Sequence, residues 1–182
     1  MPRTRRQVEP PIHTFRVRIL GGFLAPEDAA RTVWREIEVA ANQTLADLGE
    51  AIPLAFDFDD PHLWSFFLNG RAWDPTSEYA LDSQPDPFGG GRARAARRVP
   101  IREVPLPGAS GKKEFLFLFD YGDEWHFGVK LVRLSLTVQP GARYPRVVAQ
   151  QGTAPPQYPD LEEEKGEEEE DEADDDGEGE ES

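Results

Sequence analysis

The stretch FLFLF at residues 115–119 is followed by the polar turn DYGDEW at 120–125 and by a second apolar run at 127–138. Two apolar runs around a short glycine-containing turn predict a β-hairpin. The first run is apolar at every position, so we expect a central strand covered on both faces, or a strand at a subunit contact. In the second run the alternation slips by one residue, which predicts a β-bulge near Leu131-Val132.

Patterns of the same kind on the N-terminal side predict further elements. Alternation predicts strands at 12–20 and at about 32–39. Thr44 with Asp47 predicts a capped helix start, and Pro53 is expected to kink or end that helix. An apolar run at 63–68 predicts another strand, and Asn69-Gly70 predicts a turn into a return strand at 71–73.

This order of elements indicates an α+β fold, with a mostly antiparallel sheet of about five to six strands and one principal helix packed on a face. We divide the chain into a mobile basic arm at 1–11, a single domain at 12–159 and a disordered acidic tail at 160–182. The domain is expected to contain a long loop rich in Arg, Gly and Pro at 74–112, and an extended Pro-containing segment at 139–161.

The formal net charge of −15 comes from the tail, because residues 160–182 hold 16 of the 35 acidic residues and one of the 20 basic residues. The absence of Cys excludes disulfides and thiolate metal sites. The sequence has no long apolar run and no visible signal peptide. We therefore expect a cytoplasmic chain that does not enter a membrane.

Several short motifs together resemble those of one protein family. They are Trp34-Arg35 ahead of Ile37 and Val39, Thr44-Leu45 ahead of Leu48, Asp59 to Phe66 with His62 and Leu63, Asp120 to Trp125 with Gly122 and Asp123, Tyr144-Pro145, and Pro155-Pro156. Over residues 12–159 the chain resembles the plasmid pRiA4b ORF-3-like family, whose relatives are also described as TnpR-type passenger proteins of an insertion element. The resemblance implies an α+β fold, a mostly uncharacterised function and an association with mobile elements; it implies no established catalytic activity.

The two acidic turns of the chain are candidate metal sites. A divalent cation accepts carboxylate and imidazole ligands, and the candidates are Asp59, Asp60, His62, Asp120 and Asp123, with Asp57, Glu124 and His126 beside them. The alternative is that these residues build turns, because Asp side chains bond to nearby backbone N–H groups. No fixed ligand spacing is present, which favours the turn interpretation.

A run of arginines in the predicted long loop is a candidate nucleic-acid contact. It comprises Arg92, Arg94, Arg97, Arg98 and Arg102. The alternative is a solvated surface loop, because the run has no interleaved aromatic residues and the remainder of the chain is balanced in charge. The acidic tail could serve solubility, bind a basic partner, or fold back on the arginines as an electrostatic lid.

These observations favour a non-catalytic binding or adaptor module without a cofactor, whose protein partner is unknown. The first alternative is a nucleic-acid-associated accessory protein that uses the arginine run. A second is a metal-dependent hydrolase at the acidic turns. Trp125 and the alternating phenylalanines are expected to be core residues, although a ligand platform is the competing interpretation.

Overall fold

The computed structural model describes residues 10–22, 32–82, 93–108, 111 and 113–158. Within these ranges the chain forms eight strands and one complete α-helix, with 3-10 turns at Ala96–Arg98 and Ile101–Glu103. The elements are β1 (Ile12–Gly21), β2 (Trp34–Ala40), α1 (Leu45–Ala55), β3 (Trp64–Phe67), β4 (Glu78–Ala80), β5 (Arg94–Ala95), β6 (Phe115–Phe119), β7 (Trp125–Ser135) and β8 (Arg146–Gln151). The predicted basic arm, except Pro10 and Pro11, and the whole predicted acidic tail lie outside the described residues.

The strands form one sheet in the order β5-β4-β3-β6-β7-β1-β2-β8. Every neighbouring pair is antiparallel except β4 and β5, which run parallel. The fold is therefore α+β, and its sheet is mixed and larger than the five to six strands predicted.

The predicted hairpin of β6 and β7 lies in the middle of this sheet. All five residues of β6 are buried, because Phe115, Phe117 and Phe119 enter the main core while Leu116 and Leu118 enter a smaller cluster on the opposite face. The central position predicted from the apolar pattern is confirmed.

The predicted bulge in β7 is also confirmed. Thr14 pairs with Arg133 and Phe15 pairs with Leu131, so Val132 is the extra residue. The bulge keeps Leu131 directed into the core while Arg133 reaches the charged face, where it approaches Glu38.

Helix α1 covers one face of the sheet. Its start has the predicted capping box, because the Asp47 N–H donates to Thr44 Oγ1 and Asp47 Oδ2 accepts from the Thr44 N–H. Gly49 lies against the ring of Trp64, and a Cβ atom built at Gly49 would lie 2.6 Å from that ring. Pro53 lies in the last turn, and the helix ends two residues later at Ala55.

The regions predicted to be irregular supply the additional strands. The return strand after Asn69-Gly70 is β4, not 71–73, and both β4 and β5 lie in the range predicted as a long loop. Likewise, β8 lies in the extended Pro-containing segment predicted at 139–161, and it pairs with β2 at the sheet edge. These strands escaped prediction because β4 and β5 are only three and two residues long, and because most residues of β8 are exposed.

Candidate functional site at the acidic turns

Asp120 builds the turn between β6 and β7 with both its side chain and its backbone. Its Oδ1 accepts from the N–H groups of Gly122 at 2.9 Å and Asp123 at 3.4 Å, and its carbonyl oxygen accepts from the Glu124 N–H at 2.7 Å. Asp120 and Glu124 have φ values of 57° and 49°, a region that side-chain-bearing residues rarely occupy. The turn interpretation therefore accounts for one oxygen of the Asp120 carboxylate.

The other oxygen joins this turn to the first acidic turn. Asp120 Oδ2 lies 3.2 Å from Nδ1 of His62, while Nε2 of the same ring lies 2.7 Å from the hydroxyl of Tyr158. The Asp120 N–H also donates to the carbonyl oxygen of Leu63 at 3.0 Å. His62 thus joins three segments that are far apart in the sequence, and its partner Tyr158 was not predicted as a site residue.

The segment at 157–158 is held to the first acidic turn by two side chains. Gln157 is buried; its Oε1 accepts from the Asp60 N–H at 3.1 Å and its Nε2 donates to the Asp60 carbonyl oxygen at 3.1 Å. The Tyr158 hydroxyl lies 3.2 Å from Asp60 Oδ2. We use the name acidic junction for residues 57–62, 120–124 and 157–158.

The acidic junction favours neutral or cationic groups over anions. Desolvation raises the pKa of the Tyr158 phenol, and the nearby carboxylates of Asp60, Asp120 and Asp123 raise it further. Each of these effects disfavours a negative charge on the phenol. The same carboxylates would repel an anionic ligand, so the junction is suited to positively charged groups.

The predicted metal ligands do not assemble into a metal site within the described ranges, where no group of three or more His, Asp or Glu side chains could hold an ion. Asp60, His62 and Asp120 meet instead through close polar contacts, and both Asp120 oxygens already have protein partners. Asp59 is exposed. Hydrogen bonds join His62 to Tyr158 and Tyr158 to Asp60, and a 3.2 Å polar contact between His62 Nδ1 and Asp120 Oδ2 extends this series.

Arg35, a family-motif residue in β2, is buried and binds backbone carbonyl oxygens of several segments. Its Nε donates to the carbonyl oxygen of Ala55 at the end of α1, at 2.8 Å. Its Nη1 lies within 3.2 Å of three further carbonyl oxygens, those of Trp34, Gln151 and Gly152. Burial lowers the pKa of the guanidinium, which nevertheless stays positively charged and complements the negative end of the helix dipole.

The remaining family-motif residues divide between core and surface. Trp125 and Phe66 are fully buried, and the Trp125 ring contacts Phe58 edge-on at a centroid distance of 4.7 Å. The core interpretation is therefore confirmed for Trp125, as it is for Phe115, Phe117 and Phe119. Trp34 lies on the opposite face of the sheet, where Arg16 stacks over it at 4.5 Å, and the Leu63 side chain is exposed.

The predicted nucleic-acid-binding arginines are mostly engaged with the protein itself. Arg97 lies 3.2 Å from Glu50 and 3.7 Å from Asp82, and Arg102 lies 3.2 Å from Glu103. Arg94 stacks over Tyr79 at 5.3 Å, and Arg98 is exposed. Arg92 lies outside the described residues.

Comparison with known proteins assigns the chain to a family. The sequence profile of the plasmid pRiA4b ORF-3-like proteins matches residues 25–180. The chain belongs to this family. No curated protein matches it. The crystal structure of a protein of unknown function from Methanosarcina mazei Go1 is similar, with a TM-score of 0.60 and 23% identity over 81% of this chain and 72% of the other. At this identity the similarity concerns the fold.

Among the described residues, no helix has the length and hydropathy required to cross a membrane.

Proposed function

We propose that this member of the pRiA4b ORF-3-like family is a non-catalytic cytoplasmic binding module, which holds a basic segment of a partner protein between the acidic junction and the acidic tail. The observation that carries this proposal is the attachment of Gln157 and Tyr158 to Asp60 and His62. The tail sequence begins two residues after Tyr158, whose phenol is close to Asp60 and feels the charges of Asp120 and Asp123.

This arrangement concentrates charge of one sign. Without the tail, acidic and basic residues balance at 19 each. An anionic tail that starts at an anionic surface is repelled by that surface, whereas a cationic peptide is attracted to both. The attraction raises the association rate and is screened by salt.

The chain from Asp120 through His62 to the Tyr158 hydroxyl has the same order of groups as a nucleophilic triad, an acid, an imidazole and a hydroxyl. An imidazole next to a hydroxyl can act as a base, but the anion that forms must be tolerated by its surroundings. Desolvation and the carboxylates of Asp60, Asp120 and Asp123 raise the pKa of Tyr158 and so disfavour that anion. The contacts of Tyr158 therefore suit a structural role better than catalysis.

The alternative function is nucleic-acid association through the arginine run, with the tail as a lid and with a link to mobile elements. Exposed Arg98 favours this alternative, whereas the ion pairs of Arg97 and Arg102 reduce the free positive charge of the run. A lid would also need the tail to reach these arginines from its starting point at the acidic junction.

One binding experiment separates the two functions. Fluorescence anisotropy would compare the affinity of the full chain for a labelled lysine- and arginine-rich peptide, a glutamine-substituted version of that peptide, and a DNA duplex, each over a salt series. The proposal predicts binding of the basic peptide that weakens with salt, and little binding of the other two ligands. Binding of DNA but not of the basic peptide would contradict it.

A further inference from the structure

We propose that Glu124 and His126 form a receptor for one arginine or lysine side chain of the partner; this inference rests on the proposed function and names its specific contact. A cavity of about 380 Å³ lies beside the β6-β7 turn and is lined by Gly22, Gly122, Glu124 and His126. This volume is at the lower end of the range of ligand pockets. Two of these described lining residues are glycines, so among them the Glu124 carboxylate is the charged group that can recognise a ligand, and the His126 ring forms a wall.

The Glu124 carboxylate is held in place before any ligand arrives. Its Oε1 accepts a hydrogen bond from the indole Nε1 of Trp73 at 2.9 Å. Its Oε2 lies 3.7 Å from Nε2 of His126, which is too long for a hydrogen bond. The Glu124 side chain is 42% exposed, so a ligand can approach the carboxylate, whereas Nε2 of His126 is buried and has no hydrogen-bond partner among the described residues.

The group that satisfies the Glu124 carboxylate is a cation with several N–H donors. Glu124 Oε2 is a charged acceptor. Guanidinium and ammonium groups carry several donors and no acceptor, so such a group can bind this oxygen while its remaining donors stay in water. The nearby carboxylates of Asp120 and Asp123 add attraction for a cation and repulsion for an anion.

Trp73 provides an apolar surface next to the carboxylate it binds. Its ring packs against Tyr121 at a centroid distance of 4.9 Å and against Phe67 at 6.3 Å, and 49% of the residue remains exposed. The hydrocarbon stem of an arginine or lysine packs on such a ring, and the cation gains further attraction over its face. Trp73, Glu124 and His126 therefore complement the two parts of a basic side chain, its stem and its charged end.

The test uses the full chain and a tripeptide, acetyl-Gly-Arg-Gly-amide, followed by the NMR signal of the Trp73 indole N–H. The control peptide has citrulline in place of arginine, which keeps the shape and removes the charge. We expect the arginine peptide to shift the Trp73 signal, and the citrulline peptide to bind at least about tenfold more weakly because it lacks the charge-assisted hydrogen bond.

Glu124→Gln keeps the shape of the side chain and removes its charge, and it should weaken binding of the arginine peptide about tenfold. The matched control is Glu103→Gln, which makes the same substitution at an exposed carboxylate outside the cavity and the acidic junction, and it should change the affinity less than about twofold. Trp73→Phe removes the donor that holds the carboxylate, and it should weaken binding about threefold if the ring remains folded in place.

Equal affinities for wild type and Glu124→Gln would overturn the receptor. If a longer basic peptide still binds both proteins with the same salt dependence, the proposed function stands and this contact alone is wrong. Saturable tripeptide binding that Glu124→Gln abolishes, together with no binding of the longer peptide, would support the receptor and contradict the proposed function.

Discussion

The Tyr158 hydroxyl lies 2.7 Å from Nε2 of His62, a residue 96 positions earlier in the chain. Because His62 also contacts Asp120, this single ring connects the C-terminal segment to the turn of the central hairpin. The connection gives the family-motif histidine a structural explanation: it holds residues 157–158, which precede the acidic tail in the sequence, at the acidic junction.

Replacing His62 with Ala should loosen the attachment of residues 157–158 to the acidic junction. The Asp60 N–H, which donates to Gln157, would then exchange faster with solvent, and we expect a loss of about 1 kcal/mol in unfolding free energy. Amide hydrogen exchange measured by NMR checks this result. His126→Ala is the matched control, and an unchanged exchange rate at Asp60 in His62→Ala would refute the connection.

Gly49→Ala should destabilise the protein, although the same change in an exposed helix stabilises it by about 1 kcal/mol. The added Cβ would lie 2.6 Å from the Trp64 ring, which is buried and packs against Phe66 and Phe117. We expect a loss of roughly 1–3 kcal/mol, as for other overpacked cores. Denaturant unfolding checks it, with Leu54→Ala on the exposed side of α1 as the control. A stabilised Gly49→Ala would show that the helix does not pack this closely.

Trp125→Ala should cost about 3–5 kcal/mol, because the ring is fully buried and its removal leaves a cavity. Trp125→Phe should cost clearly less. It keeps most of the packing and removes an indole N–H that has no hydrogen-bond partner among the described residues. Thermal melts of the two variants check this order. Equal melting temperatures for wild type and Trp125→Ala would mean that the ring is not a core residue.

His13 should make the protein less stable as the solution becomes acidic. Burial lowers the pKa of its imidazole below 6.5 in the folded state, so the unfolded chain takes up a proton first as the pH falls. Its contribution is present above pH about 6.5 and is lost as the pH falls through the lower folded-state pKa. Urea unfolding of wild type and His13→Gln over a pH series checks the sign. The prediction fails if the two proteins lose the same stability on acidification.

The central fold could be predicted because its residues have regular apolar patterns. Three features depend only on residues close together in the sequence, so a local rule is sufficient to predict them. They are the FLFLF run, the slip at Leu131-Val132 and the Thr44-Asp47 capping box. β4, β5 and β8 could not be predicted in the same way. They are very short or largely exposed, and their pairing depends on strands that already exist elsewhere in the sheet.

The candidate site was predicted in part. The residue types of the two acidic turns marked them as unusual, and the structure brings Asp60, His62 and Asp120 together. No local pattern indicated Gln157, Tyr158 or Trp73, because no spacing rule connects residues whose contacts arise only when the chain has folded. Neither could the sequence indicate that Arg35 binds carbonyl oxygens, since burial of a charge depends on the surrounding packing.

The most direct test of the account is a map of backbone amide shifts when a lysine- and arginine-rich peptide is added to the isotope-labelled full chain. The account predicts that the largest shifts among the described residues cluster at 57–62, 120–126 and 157–158. It also predicts that these shifts disappear at high salt. Shifts confined to 94–102, or the absence of any shift at low salt, would contradict the claim that the acidic junction is the binding surface.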